Sequence, residues 1–259
     1  MGGALLKAWV GSSLVRKEEV FAAEHKAELL KIYKKQGIAC DKDVSCLKDS
    51  AKAKLIVFAV KPNVLKEAAS QATFLADKNT VILSIVAGKT VKFIESAFPF
   101  KLPVVRIMPN MGVSEGLGVS GMFANSSANK KQKDFCFKLM SQTGLAFWVK
   151  KEDDLHIITA VGGSSPAYVY ASALALQRAS EKYGIQKELA QKIAANVLLG
   201  SAFIFANGGG TLEEAVARIA TAGGTTEAAI KIFDADDALL KLYKKAMDAC
   251  IKRSKELGK

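Results

Sequence analysis

The segment Thr221-Ala222-Gly223-Gly224-Thr225-Thr226-Glu227 places two adjacent glycines and two threonines between stretches patterned as helices. Glycines there let the backbone approach a ligand closely, and Thr225 or Thr226 can cap the helix that follows. Free amides at the positive end of a helix dipole then suit a carboxylate or a phosphate. The same residues equally describe a helix–loop–helix turn with a threonine cap and no ligand. A second group of candidates lies where three apolar runs stop, at Ala59-Val60-Lys61-Pro62, Ala87-Gly88-Lys89-Thr90 and Met108-Pro109-Asn110. Open parallel sheets bind ligands outside the carboxyl ends of their strands. These ends predict a rim of small residues for a flat cofactor, with Lys61 near an anionic or carbonyl group. A lysine after a buried strand is also simply its first solvated residue. Gly162-Gly163-Ser164-Ser165-Pro166-Ala167-Tyr168 reads first as a helix start packed tightly on another backbone, and only second as a ligand contact.

What is absent narrows the chemistry. The chain has 2 His and 4 Cys in 259 residues. Cys40, Cys46, Cys136 and Cys250 are scattered without a CxxC pair, so no metal site or secreted disulfide framework is expected, and a reducing cytoplasm is. No GxSxG and no Cys/His nucleophile spacing occurs, and His156 stands alone. Lacking an evident nucleophile or general acid, the sequence points to chemistry carried by a cofactor. The net charge of +12 suits an anionic small molecule. The lysine runs carry no interleaved aromatics of a nucleic-acid groove and read as solvated helix faces.

These residues need a scaffold, and the hydrophobic pattern supplies one. Helix is expected over 3–10 and 26–36, with Gly37 as a stop, and a short strand over 20–23. Unbroken apolar runs at 55–60, 81–86 and 104–108, alternating with helices, predict a parallel sheet covered on both faces. Further strands are expected at 119–124 and 145–149, around a helix near 130–141. Beyond the charged stretch 150–154 only helices are expected, at 166–183, 187–206, 212–220, 226–233 and 235–257. The apolar stretches 157–177 and 193–212 are interrupted by Gly, Pro or Asn. They read as subunit interface in a soluble oligomer, not as membrane spans. No signal peptide is visible. The fold class is α/β: a nucleotide-type domain over 1–150, then an all-helical domain over 151–259.

In order along the chain, Ala59-Val60-Lys61-Pro62, Ser84-Ile85-Val86-Ala87-Gly88, Arg106-Ile107-Met108-Pro109-Asn110, Gly163-Ser164-Ser165-Pro166-Ala167-Tyr168 and Gly223-Gly224-Thr225-Thr226 resemble the motifs of the pyrroline-5-carboxylate reductase family. The resemblance covers nearly the whole chain. It implies a Rossmann-type, mostly parallel sheet domain followed by a helical dimerisation domain that interlocks with a second subunit, often in rings of dimers. The implied reaction reduces Δ1-pyrroline-5-carboxylate to L-proline with NAD(P)H, in the cytoplasm. Carried over by position, Gly2, Ala59, Val60, Lys61, Pro62, Ile85, Val86 and Ala87 line the cofactor, and Met108, Pro109 and Asn110 lie near its nicotinamide. Thr221, Gly223, Gly224, Thr225 and Thr226 hold the imino acid, with Thr226 at the reacting ring nitrogen as the catalytic residue. No metal, nucleic acid or membrane is implied.

Departures from the family pattern frame the alternatives. Met1-Gly2-Gly3-Ala4-Leu5 aligns with the end of the Gly-rich phosphate turn, so the first strand and leading glycines are missing and an N-terminally truncated form is expected. Met111-Gly112 stands where Thr-Pro is usual, Ala222 and Ser165 replace a usual Pro and Gly, and Asn207-Gly208-Gly209-Gly210 falls where a family glutamate is expected. A cofactor-binding Asn is likewise replaced near Ser45-Cys46. Competing readings are a related imine reductase with another substrate and a non-catalytic dimeric paralogue or fragment. NADPH is favoured over NADH by His25 and Lys26 after the 20–23 strand and by the positive charge, although Glu24 would suit a ribose hydroxyl.

Overall fold

Runs such as Leu55-Ile56-Val57-Phe58 and Val81-Ile82-Leu83-Ser84 offer apolar side chains in both directions from an extended backbone, so they are stable only with packing on both faces. That is what the computed structural model of the chain contains. It describes residues 1–258, which form two compact units, one of 1–163 with the chain from Cys250 onward, the other of 164–249.

In the first unit, α1 (Gly2–Gly11) is followed by β1 (Phe21–Ala23), α2 (Ala27–Lys35) and β2 (Ala39–Asp41), and β1 and β2 pair in parallel. Gly37 ends α2 as expected, at φ +75. Next come β3 (Leu55–Phe58), α3 (Leu65–Ala72), β4 (Val81–Ser84), α4 (Val91–Glu95) and β5 (Val104–Met108). Then follow β6 (Gly118–Ala124), α5 (Lys130–Ser141), β7 (Gly144–Trp148) and α6 (Asp154–Ile158). The second sheet runs β3-β4-β5-β6-β7, parallel throughout except for the antiparallel pair β5–β6. The apolar runs at 55–60 and 81–86 stop earlier as strands than expected, at Phe58 and Ser84. At the first of them Pro62 opens a 3-10 turn and holds Lys61 extended.

Alternation along the strands builds two cores. Val81, Leu83, Val105 and Ile107 pack with Leu5, Trp9, Cys136, Leu139 and Met140 from α1 and α5. Ile82 and Val104 pack on the other face with Leu65 and Ala69 of α3 and with Val91, Ile94 and Phe98 in and after α4. The Trp9 indole donates to the Leu139 carbonyl at 2.8 Å, tying α1 to α5. Every residue of β4 is buried, whereas Leu55, Ile56 and Val57 of β3 are only half-buried. Among the described residues β3 pairs with β4 alone and β1 with β2 alone. The strand order therefore breaks between β1 and β3, where a doubly wound order places its central strand.

Asn110 locks the exit from β5. Its Oδ1 accepts from the amides of Gly112 and Val119 at 3.0 and 3.1 Å, and its Nδ2 donates to the Gly162 carbonyl at 3.0 Å. Gly162 belongs to a π-helical turn, Thr159–Gly163, that continues α6. The first unit extends through this turn to 163 because α6 packs on β5 and β6. The compact units thus divide 13 residues beyond the boundary expected at 150, and the chain end also returns to the first unit.

The second unit contains α7 (Ser165–Lys182), α8 (Lys187–Gly208), α9 (Leu212–Ile219), α10 (Thr225–Asp234) and the first part of α11 (Ala238–Leu257). Pro166 sits in the first turn of α7, and a capping box of Thr211 and Glu214 opens α9. The helix expected from 235 starts at Ala238, after a kink in which Asp236 and Asp237 take positive φ. Tyr168 meets Tyr243 edge to face at 6.4 Å. Ala190 and Ala194 are buried in α8, but Leu199, Phe203 and Ile204 are 64–70% exposed. By length and composition α8 could cross a membrane, yet only 11% of its apolar window is buried within the chain. So much uncovered apolar surface marks a docking face.

Two outcomes test this packing. Asn110→Ala orphans two amides and a carbonyl and lowers unfolding stability by about 2–3 kcal/mol, read from the urea midpoint. Burial pushes the Cys136 thiol up to about 12, so in the native protein thiol reagents label exposed Cys46 and spare Cys136 until unfolding.

Candidate active site

Parallel pairing puts the carboxyl ends of β3, β4 and β5 on one edge, since Phe58 lies opposite Ser84 and Ser84 opposite Arg106. The segments following them, 59–62, 85–88 and 109–110, therefore leave the sheet side by side. Ala59, Lys61, Pro62 and Ala87 are exposed, while Val60, Ile85 and Met108 are half-buried. Val86 is 2% exposed, and Pro109 and Asn110 are also buried, so the side chains exposed along these stretches are those of Ala59, Lys61, Pro62 and Ala87. The side-chain oxygen and one side-chain N–H of Asn110 are bonded inside the chain, and these bonds shape the edge.

Gly2 opens α1 against this edge. A Cβ on Gly2 would stand 2.7 Å from the Ala59 methyl, so the backbone comes closer there than any other residue allows. The Met1 carbonyl takes the Ala4 and Leu5 amides, which leaves the Gly2 and Gly3 amides without a partner in the helix that starts beside the end of β3. Free amides at a helix start are groups that can hydrogen-bond a phosphate. The glycine pair at 162–163 has a packing role, as its sequence context suggested. A Cβ at 163 would lie 2.8 Å from the Met108 methyl, and one at 162 would lie 3.1 Å from Val119.

Past β1, His25 and Lys26 are exposed, whereas Glu24 accepts from the Lys26 amide at 3.0 Å. A charged network that the sequence reading passed over underlies the loop after β4. The Arg106 guanidinium, 7% exposed in β5, donates to Glu152 Oε1 at 2.8 Å, and the same oxygen accepts from the Val91 amide at 2.7 Å. Its signal was a lone arginine inside an apolar strand. Glu152 itself lies in the charged stretch expected to mark the domain boundary.

In the second unit the double-glycine loop is a tight turn. The Gly224 amide donates to the Thr221 carbonyl at 2.9 Å, and Gly223 takes φ +72. The cap of α10 is Gly224 with no side-chain bond, not Thr225 or Thr226, which form the first turn of the helix. The reason is local: Gly224 already has the extended conformation of a cap residue, so both threonines fall inside the helix. The Gly223 amide, one of the expected ligand donors, is taken by Glu227 Oε2 at 2.9 Å, and Lys231 pairs with Glu227 at 3.2 Å. Donors toward an anion are thereby narrowed to the first-turn amides and the two hydroxyls. Thr225 is exposed and Thr226 half-buried.

Comparison with known proteins gives this geometry its relatives. A family model described as pyrroline-5-carboxylate reductase dimerisation matches residues 152–257. The pyrroline-5-carboxylate reductase of Haemophilus influenzae is 31% identical over 207 residues, spanning 80% of this chain and 76% of that protein. The Pseudomonas aeruginosa enzyme of the same name is 33% identical over 208 residues, with the same coverage. Among solved structures, a pyrroline-5-carboxylate reductase from Coxiella burnetii superposes with TM-score 0.89 at 29% identity, covering 100% of this chain and 95% of its own. A Plasmodium falciparum pyrroline carboxylate reductase with NADP bound shares the fold, with TM-score 0.78 at 23% identity and coverage of 100% and 95%. The helical unit thus carries a dimerisation domain, which accounts for its uncovered apolar face. With relatives more than 30% identical over four fifths of the chain and the fold in agreement, the chain belongs to the pyrroline-5-carboxylate reductase family.

Proposed function

We propose that the chain reduces Δ1-pyrroline-5-carboxylate to L-proline with NAD(P)H, as the names of its relatives suggest. The observation that carries this reading is the edge formed by β3, β4 and β5, with the glycine start of α1 against Ala59. Residues 59–62, 85–87 and 108–110 would hold the dinucleotide, their small or buried side chains leaving backbone for it to lie on. When bound, that cofactor supplies the hydride that reduces the imine carbon.

The chain's own part is positioning. The first-turn amides of α10 would hold the imino-acid carboxylate, with Thr221, Gly223 and Gly224 keeping the loop shape. The Thr226 hydroxyl would hydrogen-bond the ring nitrogen, whose proton comes from solvent. Exposed His25 and Lys26 support NADPH over NADH, since they suit a 2′-phosphate while Glu24 is turned onto its own backbone. The dimerisation match from residue 152 supports domains of 1–150 and 151–259. We place the protein in the cytoplasm as a homodimer, and in rings of dimers, without nucleic-acid or membrane partners.

The break in strand order between β1 and β3 favours a second reading, a dimeric relative with impaired turnover or another imine substrate. NADPH titration and a panel of cyclic imines separate the two.

Three outcomes follow. NADPH oxidation depends on added pyrroline-5-carboxylate; a dimer that binds NADPH but oxidises none with it removes the reductase reading. Thr226→Ala loses a hydrogen bond to the reacting ring, about 1–3 kcal/mol, and lowers kcat/KM roughly 5- to 150-fold, whereas unchanged kinetics rule out its role. Phe203→Glu puts a charge on the apolar face of α8 and yields monomer by light scattering.

A further inference from the structure

The last turn of the chain returns to the first unit at the loop between β4 and α4. A Cβ on Gly88 would lie 2.8 Å from the Leu257 carbonyl oxygen, and Gly88 takes φ +72, so both contact and conformation require glycine. One turn earlier, Ser254 Oγ lies 2.8 Å from His156 Nδ1, and Lys255 Nζ donates to Asp153 Oδ2 at 2.9 Å. The far end of the same loop is held by Glu152, which accepts from the Val91 amide and from Arg106. Glu152 therefore fastens the loop at one end, and Asp153 and His156 hold Lys255 and Ser254 at the other. Leu257 closes the circuit by lying on Gly88.

We infer that the last turn, Ser254–Gly258, is a positioning element for the Ile85–Gly88 loop and sets how well that loop receives the dinucleotide. This rests on the proposed reading of the loop as cofactor-lining. Its exposed residue, Ala87, offers almost no side chain, so the loop contributes mainly by where its backbone stands. Backbone placement is what a contact at Gly88 controls. None of these terminal residues touches the cofactor in this scheme; they act through Gly88 and His156.

The circuit is also sensitive to acid. Arg106, Glu152, Asp153 and Lys255 surround His156; burial first, and then the Arg106 guanidinium, pull the imidazole below its ordinary value of 6.5, with Asp153 opposing. The fold thus favours neutral His156, and protonation of the imidazole as pH falls below its ordinary value opposes this arrangement.

The test uses the full chain with Ser254→Ala and Lys255→Ala together, and Ser254→Thr as the variant that keeps the hydroxyl. Hydrogen exchange at amides 85–91 and NADPH affinity by titration are read for each, with steady-state kinetics alongside. In the double variant, exchange in the loop quickens and NADPH binds about fivefold more weakly, the equivalent of one lost hydrogen bond. The KM for the imine and kcat at saturating NADPH hold, and Ser254→Thr restores both changed readouts. Unchanged exchange overturns the inference, whether or not NADPH is oxidised. Faster exchange with unchanged NADPH affinity overturns it too. Failure of imine reduction with NADPH binding intact removes the proposed reaction and leaves this inference standing on the titration. A wild-type chain that takes up no NADPH overturns both.

Discussion

Arg106 carries a full charge into the packing layer of a sheet whose neighbouring residues Val105 and Ile107 are buried, and Glu152 is the group that neutralises it. An unpaired guanidinium there would cost several kcal/mol, so the position of Glu152 is strongly fixed. Everything attached to Glu152 inherits that constraint. The same oxygen takes the Val91 amide, which sets where α4 begins and hence the span of the loop after β4. The residues immediately following it form α6, run into the π-helical turn, and meet Asn110 through the Gly162 carbonyl. One buried ion pair thus ties two strand exits, a helix start and the chain end into a single framework, and the proposed cofactor edge is built from those exits.

The helical unit obeys a different constraint. In the first unit, strand faces find helices within the same chain, and the core is closed on both sides of the sheet. In the second unit α7 and α8 pack together, but the described residues leave Leu199, Phe203 and Ile204 mostly uncovered. A helix apolar nearly all round is stable in water only when other helices surround it. The dimerisation match identifies that cover as another subunit, so this half of the fold is specified by an interface.

Much of this was legible in the order of residues. Strand runs without polar alternation announced a covered parallel sheet, Gly37 marked a helix end, and long alanine-rich patterns after residue 150 announced helices. The motifs at 59–62, 84–88, 106–110 and 223–226 pointed to a family that sequence comparison and fold then showed. These features were readable because each is local: it depends on side-chain period, on backbone freedom at glycine, or on the geometry of proline.

What stayed hidden depends on partners far away in the sequence. Asn110, expected near the nicotinamide, bonds Gly112, Val119 and Gly162, and Glu152, in the charged stretch expected to mark the domain boundary, answers Arg106. The extension of the first unit to 163 follows from how α6 packs, and no composition shift records it. Even in the Gly223-Gly224 loop, only three dimensions revealed that Glu227 turns back onto an amide that spacing alone leaves free. By itself the sequence determined which segments are extended, which are helical and which chemistry they suit. Tertiary structure decided which polar groups are already spent on each other, because a hydrogen bond is claimed by whichever partner folding brings within 3 Å or so.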